Sequence, residues 1–179
     1  MIDPATSLLL GRLVLGRRVA ALSTLHDGRP FASMIPYALL VTGRPPEGAS
    51  AGDAGSVVFV SHVSRLSSHT RDMLAAPEVC LLVTGPEGDD AGPPPQALPR
   101  VSLPARATFI DPAHPAHETL TRAYLGRFPQ AAEWFGLGDF SIVAFEPTSA
   151  RFVAGFGRAM TLSPAQFHAA VAAAAATPG

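Results

Sequence analysis

Short apolar runs alternate along the chain with Gly- and Pro-rich stretches, a pattern typical of β-strands joined by hairpins. Two runs, 19–25 and 30–40, flank Asp27-Gly28, which is a strong β-hairpin signal. Further strand-like runs lie at 56–60, 78–84, 100–110, 139–145 and 150–156. Because these runs follow one another mostly as hairpins, we predict a mainly β fold with flanking helices, an antiparallel six- to seven-stranded barrel.

Helical periodicity is found in five places. The spacing predicts helices over 4–15, over a short segment that begins between Ser64 and Ser68, and over 111–127, 130–135 and 165–176. We assign residues 1–162 to one domain and 163–179 to an alanine-rich C-terminal helix, which either packs on the domain or frays as a tail. The stretches 43–55 and 85–99 are expected to be mobile hairpin tips. Pro36 cannot donate to a ladder, so it marks an edge, a bulge or the point where its strand leaves its partner.

Composition narrows the class of protein. A chain of 179 residues with 47% hydrophobic and 15% charged residues is long and apolar enough for a compact globular domain. The net charge of −1, with no massed Lys or Arg, argues against nucleic acid and anionic membranes as partners. The apolar run 8–15 is too short to span a membrane, so we expect a soluble protein. Cys80, the single cysteine, lies in an apolar run and indicates a core position and a cytosolic location.

The most informative stretch is 56–72, where a β-branched run changes abruptly into hydroxyls, imidazoles and arginines. Here a strand leads into a helix N-terminus, whose unpaired N–H groups and positive dipole end suit a phosphate dianion. The side chains that add donors are Ser61, Arg65, Ser68, His69 and Thr70. The alternative interpretation is an ordinary capped helix with a polar outer face.

Other candidate chemistry is weaker. Helical spacing brings His114, His117 and Glu118 together, but no further ligand pattern supports a metal site, so we interpret them as a solvated helix start. Residues 155–158 (GFGR) do not form a dinucleotide-binding glycine motif, and no Ser-His-Asp or Cys-His arrangement indicates a hydrolase. No side chain is assigned a catalytic role.

Three segments, 21–37, 58–73 and 127–159, together resemble the FMN-binding split-barrel proteins of the pyridoxamine 5'-phosphate oxidase-like superfamily. The segment around Ser68, His69 and Thr70 and the one containing Gly155, Phe156 and Gly157 are most similar to the HugZ-like haem-utilisation branch. The resemblance covers about residues 10–162. It implies a homodimer with FMN bound between the subunits.

The resemblance also implies roles for particular residues. The FMN phosphate would be held by Ser68, His69 and Thr70 with Ser61. If His69 does not hold the phosphate, Arg65 or Arg106 would be the next residues to substitute. The flavin would contact the second strand at Ser33, Met34, Ile35 and Tyr37. Gly155, Phe156 and Gly157 would lie against the flavin or the dimer seam, and Arg158 would contact the ring or a substrate carboxylate.

Two functions are therefore expected from the sequence. The first is an FMN-dependent oxidoreductase that acts on a small molecule, in which the cofactor performs the chemistry. The second is a non-catalytic dimeric protein that binds FMN or haem.

Overall fold

A computed structural model of the protein describes residues 2–43, 55–88 and 94–177. Within these ranges the chain forms four α-helices and nine strands of one antiparallel sheet. The helices are α1 (Pro4–Gly16), α2 (Ser68–Ala75), α3 (His117–Arg127) and α4 (Pro164–Ala175). The strands are β1 (Val19–His26), β2 (Arg29–Pro36), β3 (Ala38–Thr42), β4 (Ser56–Ser64), β5 (Glu78–Thr84), β6 (Arg100–Ile110), β7 (Phe140–Pro147), β8 (Ala150–Val153) and β9 (Ala159–Leu162). Two 3₁₀ segments, Pro95–Ala97 and Pro129–Gly136, complete the described chain.

The predicted architecture, mainly antiparallel β with flanking helices, is confirmed, but the strand count is higher than predicted. One reason is that the apolar run 30–40 forms two strands, because β2 pairs with β1 while β3 pairs with β4. The other is β9, a four-residue strand whose pattern is too short to recognise in the sequence. The predicted helix over 111–127 begins only at His117, and the one over 130–135 is the 3₁₀ segment Pro129–Gly136.

Strand order brings the two ends of the sheet together. The neighbours run β2-β1-β5-β6-β7-β4-β3, and β8 pairs with β6 and β9. Tyr37 alone separates β2 from β3, although these strands lie at opposite ends of that order, so the sheet must curl on itself. The Oγ of Ser61 on β4 donates to the carbonyl oxygen of Pro36 at 2.8 Å and links β4 to β2. Pro36 therefore marks the point where the strand leaves its partner, one of the three interpretations open from the sequence.

Strand β4 separates two apolar clusters. Phe59 and Val63 belong to the larger cluster, and Val60 belongs to a smaller one that also contains Leu120 and Tyr124 of α3. This division follows from the strand period of two residues, which sends alternate side chains to opposite faces. Residues 57, 59, 61 and 63 share one face of β4, and residues 58, 60, 62 and 64 share the other.

Helix α4 is part of the domain core and not a fraying tail. Phe167 and Val171 are buried in the larger cluster. A Cβ on Gly11 of α1 would lie 2.4 Å from the Cβ of Ala174, so α1 and α4 pack at a distance that requires glycine. The alanine-rich composition of α4 thus permits close helix packing. The predicted hairpin tip over 43–55 lies outside the described residues except at its two ends, whereas 85–99 is described at 85–88 and 94–99 and contains the 3₁₀ segment Pro95–Ala97.

Candidate functional site

The start of α2 lies beside the end of β4 and leaves backbone donors open. Ser67 is the N-cap residue, but its side chain makes no capping hydrogen bond. The N–H groups of Thr70 and Arg71 contact the carbonyl oxygen of Ser67, whereas those of Ser68 and His69 have no acceptor among the described residues. Free amides at the positive end of a helix dipole can hold an anion.

The side chains predicted to hold a phosphate differ in whether their donors already form hydrogen bonds within the described residues. Ser68 and His69 are half-buried and make no side-chain hydrogen bond within the described residues. Thr70 is buried, and its hydroxyl donates to the carbonyl oxygen of Ser64 at 2.7 Å. Ser61 is also buried, and its hydroxyl donates to Pro36. Ser68 and His69 are therefore the two whose donors are available, while Thr70 and Ser61 hold the surrounding backbone.

Burial lowers the pKa of His69, and the nearby Asp72 carboxylate only partly opposes that effect. The imidazole is therefore neutral near neutral pH and offers one N–H donor. A bound dianion would favour the protonated ring, because an opposite charge raises the pKa of a histidine.

The end of β2 contains a hydroxyl group without a partner. The Oγ of Ser33 is buried and makes no hydrogen bond in the described chain. A buried polar atom of this kind costs stability unless something satisfies it. Met34, the next residue, is 62% exposed on the opposite face of the strand. Of the four positions predicted to contact the flavin, Ser33 and Met34 are thus the two whose side chains a ligand could contact.

The side chains of Ile35 and Tyr37, both predicted to contact a flavin, belong to the core. Each is 1% exposed, and the Tyr37 hydroxyl donates to the carbonyl oxygen of Val14 at 2.7 Å. Only the backbone of these two residues is left for a ligand. The burial of the Tyr37 side chain could not be read from the sequence, because its hydroxyl partner lies on α1, 23 positions away.

The three predicted arginines lie in three separate places. Arg65 is exposed in the turn before α2, and its Nε is 3.4 Å from the Oγ of Ser141. Arg106 forms an ion pair with Glu78 on the neighbouring strand. Arg158 donates to the Oγ1 of Thr6 at 2.7 Å, beside the N-cap residue of α1. Of the three, Arg65 alone neighbours α2 in the sequence, and the other two have partners elsewhere.

The turn between β8 and β9 carries the exposed ring of Phe156. Gly155 and Gly157, at φ of 152° and 71°, adopt backbone conformations that favour glycine and form the turn. Phe156 is 83% exposed at its tip. A large apolar ring held in this way is available for contact with a ligand or another protein.

One polar network in α2 was not predicted. Asp72 is buried, and its Oδ2 accepts a hydrogen bond from the Oγ1 of Thr24 at 2.8 Å. Its Oδ1 lies 2.8 Å from the Nδ1 of His26. The hydrogen bond to Asp72 raises the pKa of His26. Burial acts to raise the pKa of Asp72, but the hydrogen bonds from His26 and Thr24 bring it below its ordinary value. Because β1 and α2 are far apart in the sequence, no spacing rule could have found this network.

Residues 2–43, 55–88 and 94–177 contain no group of three or more His, Cys, Asp or Glu side chains placed to bind a metal ion. None of the helices in these ranges is long and apolar enough to cross a membrane.

Comparison with known proteins shows what the chain is similar to. The model of the family described as "CREG, beta-barrel" matches residues 11–169. A curated relative, the chloroplastic non-canonical heme oxygenase HOZ of Arabidopsis thaliana, is 29% identical over 141 residues, which span 79% of this chain and 37% of that protein.

Solved structures share the fold. A heme binding protein from Mycobacterium smegmatis superposes with a TM-score of 0.73 at 24% identity, over 94% of this chain and 62% of that one. A protein of the pyridoxinephosphate oxidase family from Clostridium acetobutylicum superposes with a TM-score of 0.59 at 12% identity, over 90% and 96% of the two chains. This chain therefore spans less than two thirds of the plant and mycobacterial proteins. These matches confirm the split-barrel resemblance that the sequence motifs indicated.

Proposed function

The chain belongs to the CREG beta-barrel family, and from this we propose that it binds FMN at the start of α2 and acts as a flavin-dependent oxidoreductase on a small molecule. The observation that carries the proposal is the combination of open amides at Ser68 and His69 with the unpartnered hydroxyl of Ser33. The phosphate of FMN would accept hydrogen bonds from the amides of Ser68 and His69, and a polar atom of the flavin ring would bond to the Ser33 hydroxyl.

The residues present fit FMN for chemical reasons. The open end of α2 supplies two backbone N–H groups and the side chains of Ser68 and His69, which suit a dianionic phosphate. Ser61 and Thr70 keep β4, β2 and the start of α2 in place through their hydrogen bonds to backbone carbonyls. FMN, when bound, supplies hydride or electron transfer. The protein needs no nucleophile or general base of its own for this chemistry.

The proposal is tested with purified full-length protein. We expect a yellow protein with flavin absorption that releases FMN, and not FAD, on denaturation. If the protein is purified without flavin, added FMN should bind, and its fluorescence should be quenched on binding. NADH, NADPH and small-molecule donors are then screened for reduction of the bound flavin. A colourless protein that does not take up added FMN would contradict the proposal.

A second candidate function is a non-catalytic protein that binds haem or FMN. It is favoured by the plant relative and the mycobacterial structure, whose names refer to heme. Hemin titration with a Soret shift would support haem binding. His69 is the half-buried histidine of the site, so His69→Ala should abolish a shift that depends on histidine ligation. FMN uptake without any turnover would support the non-catalytic alternative.

We also propose that two copies of the chain form a homodimer. The outer face of the β1–β2 hairpin exposes Val19 (38%), Leu25 (46%) and Met34 (62%), since Val19 and Leu25 alternate with buried residues of β1 and Met34 pairs with Ala21 on the same face. Phe156 adds an exposed aromatic ring in the turn between β8 and β9. Light scattering should give a mass twice that of one chain. Met34→Glu should lower the measured mass toward that of the monomer. The control Leu137→Glu, at an exposed leucine elsewhere, should leave the mass unchanged. A wild-type monomer would contradict this.

A further inference from the structure

His62 lies on the opposite face of β4 from Ser61, because successive strand residues alternate. Its ring is among the aromatic side chains of the smaller apolar cluster beneath α3. The ring lies parallel to Phe135, with centroids 3.9 Å apart and 5° between the planes. It also contacts Phe140 and Tyr124 at centroid distances of 4.9 Å and 5.9 Å.

The His62 imidazole is a buried polar group without a partner. The residue is 8% exposed, and its Nδ1 is enclosed and makes no hydrogen bond within the described chain. Burial lowers its pKa to about 4, although the Asp139 carboxylate acts in the opposite direction. The ring is therefore neutral near neutral pH and carries one N–H donor and one lone pair. A stacked aromatic ring would serve the packing equally well, so packing alone does not explain a histidine here.

A cavity of about 290 Å³ opens beside this ring, and we call it the His62 cavity. Its polar lining consists of His62, Arg65, His117 and Ser141. The rest of its lining is apolar and includes Phe135 and Phe140. The volume is close to the lower limit of small-molecule pockets, which suits a ligand of few atoms.

The charges around the His62 cavity favour an anion. None of its described lining residues carries a carboxylate. The Arg65 side chain makes one long contact, at 3.4 Å, to Ser141 in the described chain, so its terminal nitrogens remain free to donate. The acidic group that acts on His62 is Asp139, and its Oδ2 already accepts a hydrogen bond from the Oγ of Ser64 at 2.7 Å. The cavity thus combines a free guanidinium with apolar walls.

We propose that the His62 cavity binds a small monocarboxylate with an apolar body. The carboxylate accepts hydrogen bonds from Arg65, Ser141 and Nε2 of His62. With the proton on Nε2, the enclosed Nδ1 holds an unbonded lone pair and not an unbonded N–H. The apolar body packs against Phe135 and Phe140. The proposed phosphate site uses Ser68 and His69 and not Arg65, and His62 lies on the other face of β4 from Ser61, so the two sites should fill independently.

The experiment uses the full chain and three probes, benzoate, phenylacetate and hexanoate, each compared with its uncharged amide. We expect at least one carboxylate to bind in a 1:1 ratio by calorimetry, and its amide to bind at least about tenfold more weakly. Arg65→Gln should weaken the same carboxylate by about tenfold or more. The matched control is Arg151→Gln, an exposed arginine on β8, which should leave the affinity unchanged.

Variants of the stacked ring test the role of His62 itself. His62→Phe keeps an aromatic ring and removes the nitrogen donors, so the carboxylate should bind several-fold more weakly. If that variant does not fold, the ¹⁵N shifts of the His62 ring in the wild type replace it, since Nε2 should respond to the probe. Saturation with FMN should leave probe binding unchanged. The proposal is overturned if no probe binds at millimolar concentration, if Arg65→Gln has no effect, or if FMN displaces the probe.

Discussion

The starts of α2 and α4 have the same cap residue, serine, but use it in opposite ways. At α4, Ser163 Oγ accepts from the N–H of Gln166 at 3.3 Å, and the Gln166 side chain accepts from the N–H of Ser163 at 2.9 Å. This reciprocal pair satisfies two amides of the helix. At α2, the Ser67 side chain makes no such bond. The start of α4 is closed by its own side chains, while the start of α2 is open to a ligand.

A second contrast lies within α2 itself. The first turn of α2 has the open amides of Ser68 and His69. The next turn has Asp72, whose carboxylate oxygens form hydrogen bonds with Thr24 and His26. Groups that the protein satisfies internally contribute to stability, whereas groups left open are available for binding. Substitutions should therefore lower stability where a group is satisfied internally and weaken binding where it is open, with the largest effect at Asp72.

Asp72→Asn should lower the melting temperature by more than about 4 °C, because the amide cannot accept from both Thr24 and His26. Asp27→Asn is the matched control. Asp27 is 94% exposed and lies 3.9 Å from the same histidine, so its loss should change the melting temperature by about 1 °C or less. Thermal unfolding followed by circular dichroism measures both. Equal shifts in the two variants would show that the hydrogen bonds of Asp72 contribute no more to stability than the exposed contact of Asp27 with His26.

His69→Ala and Ser68→Ala should each weaken FMN binding by about tenfold to a hundredfold, because a hydrogen bond to a charged phosphate contributes roughly 1.5–3 kcal/mol. Stability should change little, because both residues are half-buried and leave no large cavity. A fluorescence titration of flavin measures the affinity. His114→Ala, which removes an exposed histidine elsewhere, serves as the control. Unchanged affinity in His69→Ala would place the phosphate at another site, and Arg65 would be tested next.

Ser163→Ala should destabilise the FMN-free protein by about 1 kcal/mol, and Ser67→Ala by less than about 0.5 kcal/mol. The difference arises because only Ser163 makes a capping bond. Urea unfolding of both variants under identical conditions measures the two free energies of unfolding. Equal losses would mean that the start of α2 is capped in solution, and the argument for an open anion site would fail.

The smallest effect concerns pH. Because Asp72 raises the pKa of His26 in the folded state, the protonated ring stabilises the protein fully below the ordinary pKa of 6.5, and that contribution is lost as the pH rises through the raised value. The melting-temperature difference between wild type and His26→Gln should therefore be larger at about pH 6 than at about pH 8. His62, with its lowered pKa, acts in the opposite sense as the pH falls below 6.5, but it is common to both proteins and cancels in the comparison. A difference that grows toward high pH would contradict the assignment.

Local chemistry explains which parts of the site could be predicted. The change from a β-branched run to serines and histidines after Val60 predicted a strand that leads into a helix start, and the structure has β4 followed by α2. Asp27-Gly28 predicted the hairpin between β1 and β2, and its backbone has the positive φ values that such turns require. These features depend on a few consecutive residues, so spacing rules apply to them.

The sequence by itself determined the antiparallel β class, the β1–β2 hairpin and the position of a polar helix start, since each depends on local periodicity and turn chemistry. The tertiary structure alone decided which donors at that start are free, because Thr70 and Ser61 are used by the backbone of β4 and β2. It also decided that Tyr37 is a core residue bonded to α1 and that Asp72 joins His26. Apart from the Thr70–Ser64 bond, these contacts join residues 23 to 48 positions apart, and their partners are set by sheet order and helix packing, which no local pattern encodes.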